Sequence, residues 1–136
     1  MSVQTIGAGL ATRLETITGL QVFAPDEIPD TPNSFPCAMI LPAPIEYHKT
    51  HDAMYDMSYR IIVLFAKQDT PSALALMVPY METTGTYSIK YAIEGDRQLG
   101  GAADDLRVDS CSGAGYTTWG GIVYLSTEFK VYILGG

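Results

Sequence analysis

Three residues near the middle of the chain, His48, His51 and Asp52, have the types that bind transition metals. A His-x-x-His spacing can chelate a metal on a helix or a turn. A structural zinc site takes four protein ligands, however, and the chain offers no third and fourth ligand of suitable spacing. The surrounding residues predict a β-hairpin, in which that spacing points the two rings to opposite faces unless a turn intervenes. We therefore expect two solvated histidines and no metal site.

Adjacent carboxylates at Asp104 and Asp105 follow the small residues Gly-Gly-Ala-Ala. Such a pair can bind a hard cation, but Ca²⁺ takes six or more oxygen ligands from a defined loop, and the remaining ligands are missing. A catalytic carboxylate pair needs a cleft, which the sequence does not specify. We therefore predict that these acids begin the following strand and that one of them forms an Asx turn.

The glycines of SGAGYTTWGG, residues 112–121, invite comparison with a phosphate-binding loop. The segment lacks the Lys-Ser/Thr ending of a Walker motif, and it joins two predicted strands instead of a strand and a helix. We interpret it as a long hairpin loop. Trp119, the only tryptophan, then has two open alternatives: it packs back onto the sheet, or it is exposed for a partner.

Nucleophilic catalysis is not indicated. The chain has no Gly-x-Ser-x-Gly elbow, and nothing in the sequence orients Cys37 or Cys111 beside His48 or His51. We predict that the protein is not an enzyme and takes no cofactor.

The composition predicts one globular domain over residues 1–136, because 47% of the residues are hydrophobic and 17% are charged. The formal net charge of −7, from 15 acids and 8 bases, argues against binding to a phosphate backbone. No apolar run approaches the roughly 20 residues of a membrane span, and we expect no signal peptide. In a protein made in the cytosol, both cysteines are expected to be buried free thiols.

The periodicity of the first half predicts a helix followed by strands. Apolar residues from Val3 to Ile17 recur at spacings of three and four, and Gly19 can end this helix in a left-handed conformation. The prolines of residues 25–36 predict a loop. Strands are predicted over residues 20–24, 37–41, 45–50 and 56–67, with His51 to Tyr55 as the tip of a hairpin. In the last of these, the odd-numbered residues from Met57 to Phe65 share one face.

The second half predicts two short helices and a final hairpin. Asp69-Thr70-Pro71 is typical of a helix start, and Pro79 should kink or shorten that helix. Ser88 can cap a helix that runs to Glu94 and ends at Gly95. The last strands are predicted over residues 106–111 and 122–134. This order predicts an α+β fold with a mostly antiparallel mixed sheet and the helices packed on one face.

Three segments in this order resemble the tail-terminator proteins of long-tailed bacteriophages of the siphophage or actinobacteriophage type. They are the N-terminal helix LATRLETITGL, the stretch SIKYAIEGDRQLGGAADDLRV (residues 88–108) and the C-terminal run GGIVYLSTEFKVYILGG. Such proteins are ring-forming α/β or α+β subunits. The resemblance implies a homohexameric ring in the virion, assembled in the host cytoplasm, that caps the head-proximal end of the tail tube and stops its polymerisation.

A ring of this kind has as partners its own copies, the major tail tube protein and the head–tail connector or stopper, with no membrane contact. DNA would pass through its lumen unbound, because acidic walls repel phosphates. The candidate interface anchors are Tyr55, Trp119, Tyr116 and Phe35. The candidate acids of the lumen are Asp52, Asp56, Asp104, Asp105 and Asp109. The alternatives are another neck or tail component, such as a head–tail stopper or a tube subunit, and a small cytosolic binding module.

Overall fold

A computed structural model describes residues 3–26, 28, 35–43, 56–67, 74–101, 103 and 105–134. The predicted strand at residues 45–50, the hairpin tip at residues 51–55 and the helix start at residues 69–71 lie outside this part of the chain. The described helices are α1 (Val3–Leu14), α2 (Leu74–Met81) and α3 (Ile89–Glu94). The described strands are β1 (Gln21–Phe23), β2 (Cys37–Pro42), β3 (Asp56–Lys67), β4 (Asp105–Cys111), β5 (Gly115–Trp119) and β6 (Ile122–Leu134).

The strands form one six-stranded mixed sheet in the order β1-β2-β3-β6-β4, and β5 also pairs with β6. The pairing of β1 with β2 is parallel, whereas the other pairings are antiparallel. The predicted α+β class, with a mostly antiparallel mixed sheet, an N-terminal helix and two short helices, is confirmed. This sheet is the frame on which the candidate surfaces are arranged.

Helix α1 places its apolar residues on the sheet, since Ile6, Leu10 and Leu14 are fully buried. The helix ends at Leu14 and not beside Gly19 as the spacing predicted. After Leu14 the backbone N–H groups of Thr16 and Ile17 donate to carbonyls three residues earlier, at 3.3 Å and 3.0 Å, so the chain tightens into turns instead of continuing the α-helix. Ile17 is nevertheless buried, because turns carry the chain back to the sheet.

Both faces of the sheet carry buried residues. On the face covered by the helices, the odd-numbered β3 residues from Tyr59 to Phe65 join α1, α2 and α3 in the larger core. On the second face, Ile62 and Leu64 belong to a smaller cluster with Cys37, Met39 and Tyr124. The alternation predicted for β3 is thus confirmed over these residues, and it explains why the central strand is apolar on both sides.

The glycine-rich segment is a strand and a tight turn, so its interpretation as a long loop was wrong. Tyr116, Thr117 and Thr118 have high β propensity, and they lie within β5. Trp119 then pairs with Ile122 across the two residues Gly120 and Gly121, whose φ angles are 59° and 82°. Two successive positive φ angles define a type I′ turn, which glycine adopts without steric cost.

Helix α3 begins and ends as predicted, with Ser88 as its N-cap and Gly95 after its last residue, whereas the predicted start of α2 lies outside the described residues. Helix α2 continues to Met81 with Pro79 inside its last turn. Helix α3 is capped by Ser88, whose hydroxyl accepts from the Tyr91 N–H at 3.1 Å. At its C-terminus, the Arg13 Nε donates to the Ala92 carbonyl at 2.9 Å, so a side chain of α1 satisfies a carbonyl that the helix leaves free.

The two cysteines have different environments. Cys37 is buried in β2, and burial raises the pKa of its thiol to about 11 although a backbone hydrogen bond at Leu64 opposes the shift. Cys111 is exposed at the end of β4, where its sulfur lies 3.1 Å from the Thr127 hydroxyl. The prediction that both thiols are buried is therefore wrong for Cys111. Both are free, as expected.

Candidate interaction surface

The candidate interface aromatics within the described part of the chain differ in their exposure. Tyr116 on β5 is 63% exposed, and Phe35 is 36% exposed with its ring centroid 5.5 Å from that of Tyr124. Trp119 is half-buried and packs against the cluster on the second face. Of its two open alternatives, the structure therefore favours packing on the sheet. Tyr55 lies outside the described residues.

The two candidate lumen acids whose side chains are described both pair with arginine. Asp105 begins β4, as predicted, and its carboxylate accepts from Arg97 Nε at 2.8 Å and from Nη2 at 3.1 Å. Asp109 accepts from Arg107 Nε at 2.6 Å. The backbone of Asp56 pairs with Leu134 in the sheet, but its side chain, like Asp52 and Asp104, lies outside the described part.

The second face of the sheet divides into an apolar half and a charged half. The apolar half is the Tyr124 cluster with its neighbours Phe23, Ile28 and Trp119. The charged half lies on β3, β6 and β4 and has Arg60 beside Glu128 at 3.5 Å and Arg107 stacked 5.1 Å from the ring centroid of Tyr132. Lys130, Asp105 and Asp109 complete this charged half. Its charges are mixed in sign, so it is not a uniformly acidic wall.

The edge of the sheet at β4 is covered by side chains. The Glu94 carboxylate at the end of α3 accepts from the Val108 N–H at 3.0 Å, and Arg97 Nε donates to the Leu106 carbonyl at 3.1 Å. Desolvation raises the pKa of Glu94, but hydrogen bonds from Lys90 and Val108, together with the nearby cations, outweigh it and lower that pKa overall. An ionised Glu94 thus satisfies an edge amide that would otherwise be free to pair with another strand.

Strand β5 continues the same edge of the sheet. Across the two-residue turn, Trp119 and Ile122 form a hydrogen-bonded pair, and bonded and non-bonded pairs alternate along an antiparallel ladder. Tyr116 and Thr118 therefore direct their backbone N–H and C=O groups away from β6. Among the residues that the structure describes, none forms a hydrogen bond with these outward groups. The edge is covered at β4 and open at β5.

Two further surface features were not predicted from the sequence. Val78, Tyr87 and Tyr91 on or beside the short helices are between 43% and 61% exposed. A partly open groove of about 340 Å³ runs between α2 and the start of β2, where Tyr80 and Tyr87 line it together with prolines. The run of tyrosines from residue 80 to 91 was the available signal, because Tyr is enriched at interfaces.

Within the described ranges, no group of three or more His, Cys, Asp or Glu side chains is arranged to hold a metal ion. The same part of the chain contains no helix that is long and apolar enough to cross a membrane. No protein-family model matches the sequence, and no curated protein matches it significantly.

Proposed function

We propose that this chain is a tail-terminator subunit that caps the head-proximal end of a phage tail tube as a hexameric ring. The proposal is supported by the order of the segments that carry the resemblance. In the structure the first segment forms the C-terminal part of α1, residues 10–14, and the turns that follow it, and the other two form α3 with the turn at Leu99–Gly101, the start of β4, and β6. The described helical and strand residues of these segments belong to one sheet-and-helix unit, although the first segment is helical only as far as Leu14.

The distribution of exposed aromatic and charged surfaces also supports the proposal. A ring subunit must contact its neighbours through two different surfaces and must present further surfaces to the tube and to the connector. Here an exposed aromatic residue, Tyr116, lies on an open strand edge, while a separate charged surface covers part of the second sheet face. The net charge of −7 favours passage of DNA without adhesion. Asp105 and Asp109 remain proposed lumen residues, with their arginine partners beside them.

Tail-tube assembly tests this function directly. The purified chain is added to tubes growing from the major tail protein of the same genome, and tube length and end structure are measured by electron microscopy. We expect growth to stop and a ring to cap one end. Open-ended polymers of the chain alone would identify a tube subunit. Binding to the connector without an effect on tube growth would identify a stopper.

Two tyrosines provide a matched comparison for the same assay. Tyr116 on β5 is 63% exposed and Tyr91 on α3 is 61% exposed, so Ala at either position should change folding stability by no more than about 0.5 kcal/mol. We expect Tyr116→Ala to weaken capping and Tyr91→Ala to leave it close to normal. Normal capping by Tyr116→Ala would remove that residue from the interface.

The groove between α2 and β2 favours a second candidate, a small module that binds extended peptides. Aromatic-lined grooves with prolines nearby can receive a polyproline helix, and Tyr80 and Tyr87 contact each other there with ring centroids 5.5 Å apart. A ligand that binds the folded state raises its Tm. Proline-rich peptides that raise the Tm of the parent but not of Tyr87→Ala would support this candidate.

A further inference from the structure

Two open strand edges face outward from opposite sides of the sheet. At the β5 edge, Tyr116 and Thr118 direct backbone groups into solvent. At the other edge, Gln21 donates to the Pro36 carbonyl at 3.1 Å, so Gln21 and Phe23 face β2 and Val22 directs its N–H and C=O outward. Among the described residues, no hydrogen-bond partner is found for these groups of Val22. Within the described part of the chain, both edges therefore present backbone groups with which one more strand could pair.

We infer that β5 of one subunit pairs with β1 of a second copy of this chain, so that the sheet continues from subunit to subunit. This choice of occupant rests on the proposed ring. Strand directions are compatible with it: β1 and β2 are parallel, and the successive antiparallel pairings from β2 to β5 leave β5 opposite in direction to β1. A copy related by rotation about an axis along the strands keeps these directions and brings β1 antiparallel to β5.

The directions in which the side chains point are also compatible with pairing between β5 and β1 of two copies. Val22 pairs with Ala38 and packs against the core on the helix-covered face, and Tyr116 and Thr118 lie on that face because they pair with Leu125 and Val123. Residues directly opposite in an antiparallel pair have their side chains on the same face. A neighbouring Val22 would therefore contact Tyr116 or Thr118 and would cover the exposed tyrosine without turning the helix layer over.

The difference in protection between β4 and β5 is consistent with a specific partner strand at β5. Glu94 and Arg97 block β4, whereas β5 contains none of the lysines or prolines that commonly protect an exposed edge. A two-fold pairing of β5 with itself would use this edge but would leave β1 open. Head-to-tail pairing uses both edges in every subunit, and such heterologous contacts close into a ring when the rotation between neighbouring subunits closes, and otherwise form an open filament.

Disulfide trapping tests the contact. In a Cys111→Ser background, Val22→Cys is combined with Thr118→Cys or with Tyr116→Cys, which covers the two possible registers. Directly opposite residues have Cα atoms about 5.5 Å apart in a hydrogen-bonded pair, which a disulfide can span. We expect oxidation of one of the two combinations to give a ladder of covalent oligomers that ends at the ring size. The control combination replaces Thr118→Cys with Thr12→Cys, at an exposed position on α1, and should give no ladder.

The outcomes separate this contact from the proposed function. Covalent dimers from Thr118→Cys or Tyr116→Cys without Val22→Cys would show two-fold β5 pairing and overturn the inference. The absence of a ladder from both combinations, in isolated protein and on capped tubes, would also overturn it. Capping without a ladder would leave the terminator function standing, whereas a ladder without capping would support the contact and reject that function.

Discussion

Gly7 of α1 lies against Pro25, which follows β1, and this contact provides a test of the core packing. A Cβ atom built on Gly7 would lie 2.7 Å from Cγ and 2.8 Å from Cδ of Pro25, and 3.7 Å from Cε1 of Tyr59. Carbon atoms in favourable contact are about 3.5–4.0 Å apart, so the added methyl group would approach the proline ring too closely by about 1 Å. The neighbouring ring must shift or the helix must move.

Two opposing effects set the result of Gly7→Ala. Alanine is better than glycine in a helix interior by about 1 kcal/mol, whereas overpacking a well-packed contact costs about 1–3 kcal/mol. We expect the variant to be less stable than the parent by about 1 kcal/mol. If Pro25 is first changed to Ala, the obstruction is removed and Gly7→Ala should become stabilising by up to about 1 kcal/mol.

The coupling free energy between Gly7→Ala and Pro25→Ala therefore shows whether Pro25 packs against Gly7. Urea unfolding of the parent, both single variants and the double variant gives this coupling free energy, which we expect to be about 1–3 kcal/mol. A coupling near zero, together with stabilisation by Gly7→Ala in the parent, would refute the packing of Pro25 over α1. The effect of Gly7→Ala would then be explained by the helical propensity of alanine alone.

The remaining predictions concern burial and titration. Leu10→Ala should lower the free energy of unfolding by about 2–5 kcal/mol, and the exposed control Gln4→Ala should change it by less than about 0.5 kcal/mol, both measured by urea unfolding. The pKa of Glu94 is lowered in the fold, so its stabilisation is present above its unfolded pKa of about 4.3 and is lost as the pH falls through the folded value. Glu94→Gln should thus flatten the acid side of the stability profile, and an unchanged acid side would contradict this role. Iodoacetamide should alkylate exposed Cys111 in the native protein but reach buried Cys37 only after unfolding, as peptide mass mapping would show.

Patterns that depend on near neighbours in the chain predicted much of this fold. The alternation in β3 identified its two faces because side chains on a strand alternate strictly. The spacing of Ile6, Leu10 and Leu14 identified the buried face of α1. Ser88 was recognised as a cap because the hydroxyl and the free N–H lie within one turn of each other.

The errors arose where composition was given more weight than geometry. The many glycines of residues 112–121 indicated a loop, although Gly120-Gly121 between Trp119 and Ile122 is typical of a two-residue hairpin turn. The exposure of Cys111 depends on its position at an edge strand, which cysteine content does not reveal. The early end of α1 lies where backbone hydrogen bonds change to partners three residues apart, which the spacing of the apolar residues does not reveal.

The candidate surface was harder to predict because its organisation depends on distant pairs. Asp105 was placed at the strand start, but its bidentate partner Arg97 lies across a turn whose path the sequence did not specify. Glu94 contacts Val108 only because α3 packs beside β4. Neither pair follows a helical or strand spacing, so neither could be recognised from periodicity.

The contrast between β4 and β5 connects this surface to the proposed assembly. A free strand edge is a hazard for any soluble protein, since it can pair with other chains. This chain uses a carboxylate and a guanidinium to block the edge at Val108 and Leu106, yet β5, a few residues further along the same edge, carries Tyr116 and Thr118 with outward backbone groups. If the open segment were merely tolerated, adding Lys at Thr118 should improve solubility and leave assembly unchanged. If it is the contact between subunits, Thr118→Lys should keep the monomer folded and abolish the ring.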